Sequence, residues 1–213
     1  MTRRTLLAAI AFLSSIFCFA QNGARLCPVP DYTRMPERAQ AWRNQVYSLL
    51  IPDEFEFAYL EIPTETMYKY AEHSLFCTKD CYLVHRKAMG FIRQDEALKI
   101  KSDSIRLEPE YVKMLSELFQ AAVYSASYAD EPFILDGTDC YYMVKLHATA
   151  WQISPEINPR SSNVYLLDKI VQIMVKAVES GDADLIYSHV QEIEDLRDKF
   201  IGLCPRWPIN KFR

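Results

Sequence analysis

HSLFCTKDCYLVH, residues 73–85, carries the reading that decides the fold class. Two apolar runs flank Thr78-Lys79-Asp80, and the pattern is symmetric about Lys79. That symmetry predicts an antiparallel hairpin turning at residues 78–80, with strands over about 68–77 and 81–89. It sets Cys77 opposite Cys81 and His73 opposite His85, all on one face. Upstream, Phe55, Phe57 and Tyr59 alternate with Glu54, Glu56 and Ala58, the period of a half-buried strand. Downstream, residues 97–107 alternate again, with Leu98, Ile100, Ile105 and Leu107 on the apolar positions. A short strand is expected at 133–135. After the Asp136-Gly137 turn signal, a second hairpin is expected over 140–145 and 148–153.

Helices bracket this cluster. Pro36 opens one that runs to about Leu50, with Ala39, Trp42, Val46 and Leu50 three and four apart, and Pro52 ends it. Glu108-Pro109-Glu110 opens another, whose face carries Val112, Leu115, Phe119, Ala122 and Ala126. Ser162 caps a third, with Val164, Leu167, Val171, Met174 and Val178 as its buried stripe and Gly181 as its stop. A fourth spans 183–201, capped by Asp182, with Ile186, His189, Ile193, Leu196 and Phe200 inward and an acidic outer face. Strands that cluster and helices that come late define an α+β class: an antiparallel β-sheet packed against several helices, with a C-terminal antiparallel helical hairpin.

Residues 1–20 have the three parts of a secretory leader: Arg3 and Arg4, an apolar run from Leu6 to Phe19, and the small residue Ala20. The expected organisation is a signal peptide over 1–20 and a single α+β domain over 21–213, with 205–213 as an extended tail. The expected location is the periplasm, the cell surface or the extracellular medium. The leader's run is short of the roughly 20 apolar residues that span a bilayer, so no stable membrane insertion is expected after cleavage. Beyond the leader, 22 basic residues face 28 acidic ones, a net charge of −6. This balance argues against nucleic acid, whose phosphates call for a basic face.

Five cysteines follow the leader: Cys27, Cys77, Cys81, Cys140 and Cys204. In an oxidising compartment, Cys27–Cys204 is expected to tie the two ends of the chain, and Cys77–Cys81 to cross the hairpin.

Several short motifs in this order resemble a broad set of uncharacterised exported proteins of Gram-negative bacteria. They are Glu61-Ile62-Pro63, Tyr82-Leu83-Val84, Asp136-Gly137 with Tyr141-Tyr142, Trp151, Ser154-Pro155 and Ser162-Asn163. The likeness covers about residues 54–180 and implies a fold. It transfers no activity and no site, and the helix over 183–201 and the Trp207 tail depart from it.

The spacing His73, Cys77, Cys81, His85 invites a zinc reading, but four strand residues span about 13 Å, too far for one ion's ligands. No metal or other cofactor is therefore expected. Only five glycines occur in the chain, and no phosphate-cradling loop is among them. Glu54, Glu56 and Glu61 are candidate paired carboxylates, yet alternation sets Glu54 and Glu56 on a solvated strand face. These readings point to an exported, non-enzymatic binding or protein-interaction module whose partner is an unknown protein or a glycan. Trp151, Tyr142, Trp207 and His147 are its expected binding residues, and no residue is assigned a catalytic role. Two other readings stand beside it. One is a small exported hydrolase using His147 with an acidic partner such as Asp136 or Asp139. The other is an inhibitor or immunity-type partner protein using the acidic last helix.

Overall fold

A computed structural model describes residues 24–29, 37–63, 72–89, 99–127, 137–145 and 148–204. The leader, the expected strand at 133–135, Asp136, His147 and the tail with Trp207 lie outside the described residues. Seven strands form one antiparallel sheet: β1 (Cys27–Pro28), β2 (Phe57–Pro63), β3 (His73–Cys77), β4 (Tyr82–Ala88), β5 (Ile100–Arg106), β6 (Thr138–Val144) and β7 (Ala148–Ile153). Their spatial order is β1-β7-β6-β2-β3-β4-β5. β2 to β5 therefore make a meander, and the β6–β7 pair lies on its other side, with β6 against β2.

The helices are α1 (Glu37–Leu50), α2 (Pro109–Tyr124), α3 (Asn163–Ser180), α4 (Asp184–Tyr187) and α5 (Val190–Leu203), with a 3₁₀ turn at Pro155–Ile157. The α+β class expected from the sequence is the class of this fold. Helix ends follow local chemistry. The Ser162 hydroxyl accepts from Tyr165 N at 3.2 Å, and Gly181 closes α3 in the left-handed region at φ 70°. The helix expected over 183–201 is broken: α4 stops at Tyr187 and α5 begins at Val190. Between them, the His189 ring bonds Leu185 O (2.8 Å) and Ser188 Oγ (3.1 Å).

Two cores sandwich the sheet. Phe57, Tyr59, Leu75, Leu83, Tyr142 and Val144 face α2, α3 and α5. Leu60, Ile62, Phe76, Tyr141 and Met143 face the other way, onto Val46 and Leu50 of α1. β2 is thus buried on both faces, and Ala58 is as covered as Tyr59. The half-solvated strand expected at 54–59 is corrected accordingly. Glu54 and Glu56 precede β2 and pair with Lys79 and Lys145. A strand in the middle of a sheet with helices on both sides has no wet face.

The hairpin forms with a register two residues from the symmetric one. Cys77 pairs with Leu83, Leu75 with His85, and His73 with Lys87. The loop is residues 79–81: Thr78 N donates to Tyr82 O (2.9 Å), Cys81 N donates to Thr78 O (3.1 Å), and Cys81 sits at φ 65°. This is a turn followed by a left-handed bulge residue. Neither expected disulfide is present among the described residues: Cys77, Cys81, Cys140 and Cys204 are free thiols. For Cys77 and Cys81 the register explains it, because Cys81 occupies the bulge and not the position across from Cys77. Cys27 is buried in β1 beside Gln152, whereas Cys204 follows α5 with Sγ 3.6 Å from Tyr124 O.

Candidate functional site

On the face toward α3, strand alternation puts Glu61 in phase with Phe57 and Tyr59. Pairing then brings Glu61 opposite His73 of β3 and Cys140 of β6. A chain of polar contacts crosses four strands from there. His73 Nε2 lies 3.0 Å from Glu61 Oε2, and the Tyr59 hydroxyl lies 2.8 Å from the same oxygen. Tyr59 Oη is also 3.1 Å from Cys140 Sγ. Tyr59 shares its one proton between the carboxylate, the stronger acceptor, and the sulfur, and the thiol's own proton faces Thr138 O at 3.8 Å. Burial pushes the Cys140 thiol well above its ordinary range, so it keeps that proton.

On the other side of the chain, His85 Nε2 lies 3.3 Å from His73 Nδ1, and His85 Nδ1 lies 3.6 Å from Glu179 Oε1 of α3. Burial, then the neighbouring His73 and Lys87, push His85 down to about 4, so at neutral pH it carries one ring proton. The ring nitrogens of His73 thus bridge Glu61 and His85 across β2, β3 and β4. Burial pushes the Glu61 carboxyl up, but the bonds from His73 and Tyr59 outweigh it and hold the group below its usual value.

Asp168 of α3 stands over this row. Burial, then the Glu61 and Glu156 carboxylates, push it up to about 7, against a hydrogen bond from Gln172 and the charge of His73. Glu156 is exposed on the 3₁₀ turn, which follows Ser154 at φ 42°. The Ser154 hydroxyl accepts from Thr138 N at 3.0 Å. This close crossing needs Gly137, since a Cβ there would lie 2.3 Å from Ser154 Oγ. Tyr142 lies on the same sheet face. Its ring lies between Tyr59 (5.3 Å) and Phe119 (6.1 Å), and its hydroxyl is fully buried with no hydrogen-bond partner. Burial, then Asp168, Cys140, Glu61 and Glu156, raise that hydroxyl well above its ordinary range. Among the described residues, no three His, Cys, Asp or Glu side chains are grouped closely enough to hold a metal ion.

No family model, curated protein or solved structure matches this chain. The site is therefore read from its own geometry. Of the expected binding residues, Tyr142 is fully buried in the core on the face toward α2, α3 and α5. Trp151 is one strand away on the opposite face, packed with the α1 core. The sheet separates the two, so they form no common aromatic platform. His147 and Trp207 lie outside the described residues. Sequence reasoning passed over Asp168, although a signal was present. It stands four residues after Val164 and three before Val171, on the stripe that apolar spacing marks as buried.

The α1 face carries a second polar group. Arg43 bonds both Asp139 and the Tyr141 hydroxyl, and Tyr141 Oη lies 3.2 Å from Asp139 Oδ2. Beside it a groove of about 850 Å³ is lined by Tyr47, Phe55, Met143 and Thr149, with Gln40 and Asn44 of α1.

Proposed function

We propose that this protein is an exported, non-enzymatic binding protein of the periplasm or cell surface, with its ligand at the polar row under α3. The supporting observation is the Tyr142 hydroxyl, fully buried without a hydrogen-bond partner on the sheet face that α2, α3 and α5 cover. A buried polar group left unpaired costs about 1–3 kcal/mol, a cost that a ligand supplying the missing bond removes. The resemblance to exported Gram-negative proteins is consistent with this setting and adds no site. Among the described residues no helix is long and apolar enough to cross a membrane. A thermal-shift screen of metabolites tests the reading, run on the natural chain, Tyr142→Phe and Asp168→Asn. Compounds that raise the melting temperature of the natural chain are expected to lose that effect in both variants. Hits indifferent to both substitutions move the ligand elsewhere, the groove beside α1 first.

One observation favours a second reading, acid–base catalysis of hydrolysis. The Glu61 carboxylate of β2 acts electrostatically on Asp168 of α3, and their surroundings drive the two in opposite directions. An ionised carboxyl and a protonated one can serve as a base and an acid. This reading moves the hydrolase hypothesis from His147 to Glu61 and Asp168. Turnover of chromogenic esters or glycosides, abolished by Glu61→Gln, would put it first.

A further inference from the structure

The core under α1 covers only part of its side of the sheet. It takes in Phe76 of β3 and Ala88 at the end of β4, with Val84 and Ile100 at its margin. Alternation puts Tyr82, Val84 and Arg86 of β4 on this side, and pairing sets them opposite Arg106, Ser104 and Ser102 of β5. Tyr82 is 42 % exposed, and Arg106, Ser104 and Ser102 are exposed as well. Arg86 is half-buried, with its guanidinium over the Phe76 ring at 4.8 Å from the centroid. Neither arginine has an ion-pair partner among the described residues. Glu72, whose carbonyl accepts from Ala88 N, is buried, so every charge on the six paired positions is positive.

We propose that this open face of β4 and β5 binds an acidic polysaccharide, with Arg86 and Arg106 on its anionic groups and the Tyr82 ring under a sugar ring. It is a second surface, on the opposite side of the sheet from the polar row under α3, and it does not depend on that reading. Stacking on Phe76 fixes the plane of the Arg86 guanidinium, which leaves its N–H edge as a fixed fork for a carboxylate or a sulfate. Arg106 and Tyr82 sit directly across from each other, so a second cation adjoins the exposed ring. That ring offers an apolar surface to the C–H face of a sugar and a hydroxyl at its tip. Ser102 and Ser104, each a donor and an acceptor, complement sugar hydroxyls.

Size and charge spacing select this class over other anionic partners. The face is two strands wide, about 5 Å between strands, and the two arginine rows lie about 13 Å apart along them. A stable protein partner covers about 800 Å² on each side around an apolar centre, far more than six side chains of which only Tyr82 and Val84 are apolar. A nucleic-acid strand carries a phosphate about every 3.4 Å of axis and calls for a dense basic surface, whereas these two cations fit a sparsely charged chain. Main-chain groups of β4 are taken up by pairing with β3 and β5, so recognition here falls to side chains. The pairing also sets Lys101 of β5 on the other side of the sheet, in phase with Ile105 of the core toward α3, where it pairs with Asp103.

The test is calorimetric titration of the purified protein with polygalacturonate, dextran sulfate, neutral dextran and polyglutamate. Binding of polygalacturonate or dextran sulfate is expected, weakened by added salt, with no binding of dextran. Arg106→Gln and Tyr82→Ser, both at exposed positions, should each weaken it several-fold. Arg86→Lys keeps the charge but not the stacked fork and should weaken it too, with an unchanged melting temperature of Arg106→Gln as the check on folding. Lys101→Gln, on the other side of the sheet, should leave binding as it is. An equal loss in Lys101→Gln would reduce the effect to general attraction of polyanions and overturn the proposal. Binding of dextran as tight as that of the acidic polymers overturns the role of the arginines. Tighter binding of polyglutamate makes the face a peptide surface and overturns the polysaccharide, as does a failure of both acidic polysaccharides to bind. None of these outcomes bears on the Tyr142-dependent ligand, which the thermal-shift screen tests separately.

Discussion

Cys81 shows how one residue's backbone sets a register. At φ 65° it holds a left-handed conformation that costs a residue with a Cβ about 1 kcal/mol relative to glycine. Cys81→Gly is therefore expected to stabilise the fold by about 1 kcal/mol, read as a higher urea midpoint with an unchanged slope. A loss of stability would mean that the Cys81 side chain contributes more than its backbone costs. The two histidines were visible in the sequence as a pair, and they do meet, with ring centroids 5.2 Å apart. They meet diagonally because the bulge moves the register by two, which keeps every side chain on its face while changing its partner. Glu61 was legible as an acid in phase with Phe57 and Tyr59. What that phase meant depended on which face was buried.

At the scale of elements, α1 is fastened to the sheet by polar contacts as well as by its apolar stripe. Ser74 Oγ donates to Leu50 O at 2.7 Å, and Arg43 spans Asp139 and Tyr141. Asp139 is nearly inaccessible, at 5 % exposure. Arg43→Met leaves that carboxylate without its cation, at a cost of about 3 kcal/mol. Adding Asp139→Asn should recover more than half of the loss, since the cost lies in an unpaired charge and not in a lost contact. Chemical denaturation of the single and double variants gives the coupling directly, and additive losses would remove the ion pair from the account. Local signals placed this helix and the others well, because caps, stops and apolar spacing act within a few residues. The break at Ser188–His189 escaped them, as the apolar spacing runs through it without interruption.

At the scale of the whole molecule, the buried ionisable groups act against one another. His85 is lowered to about 4 from an ordinary 6.5, so the unfolded chain binds more protons there, and stability falls as pH drops from 6.5 to 4. Asp168 is raised to about 7 from an ordinary 3.8, so the folded chain binds more protons there, and stability falls as pH rises from about 4 to 7. Over the shared window the two slopes oppose. Asp168→Asn removes one of them. The stability of the natural chain relative to this variant is expected to grow by about 2 kcal/mol on going from pH 7 to pH 4, allowing for the partial exposure of Asp168. Thermal melts across that range measure the difference, and parallel profiles would show that Asp168 titrates as an ordinary carboxylate.

The division between sequence and tertiary structure follows the range of the forces involved. The sequence by itself determined the element types, a turn at residues 78–80, the Ser162 cap and the Gly181 stop, and with them the α+β class. Each is set by neighbours a few positions apart. Only the tertiary structure decided that β6 lies against β2, that helices cover both faces, and that Glu61, Asp168 and Tyr142 converge. Those three residues lie on separate elements, 26 to 107 positions apart in the chain. Strand order and helix docking are chosen by burial over the whole chain, and no local period in the sequence records them.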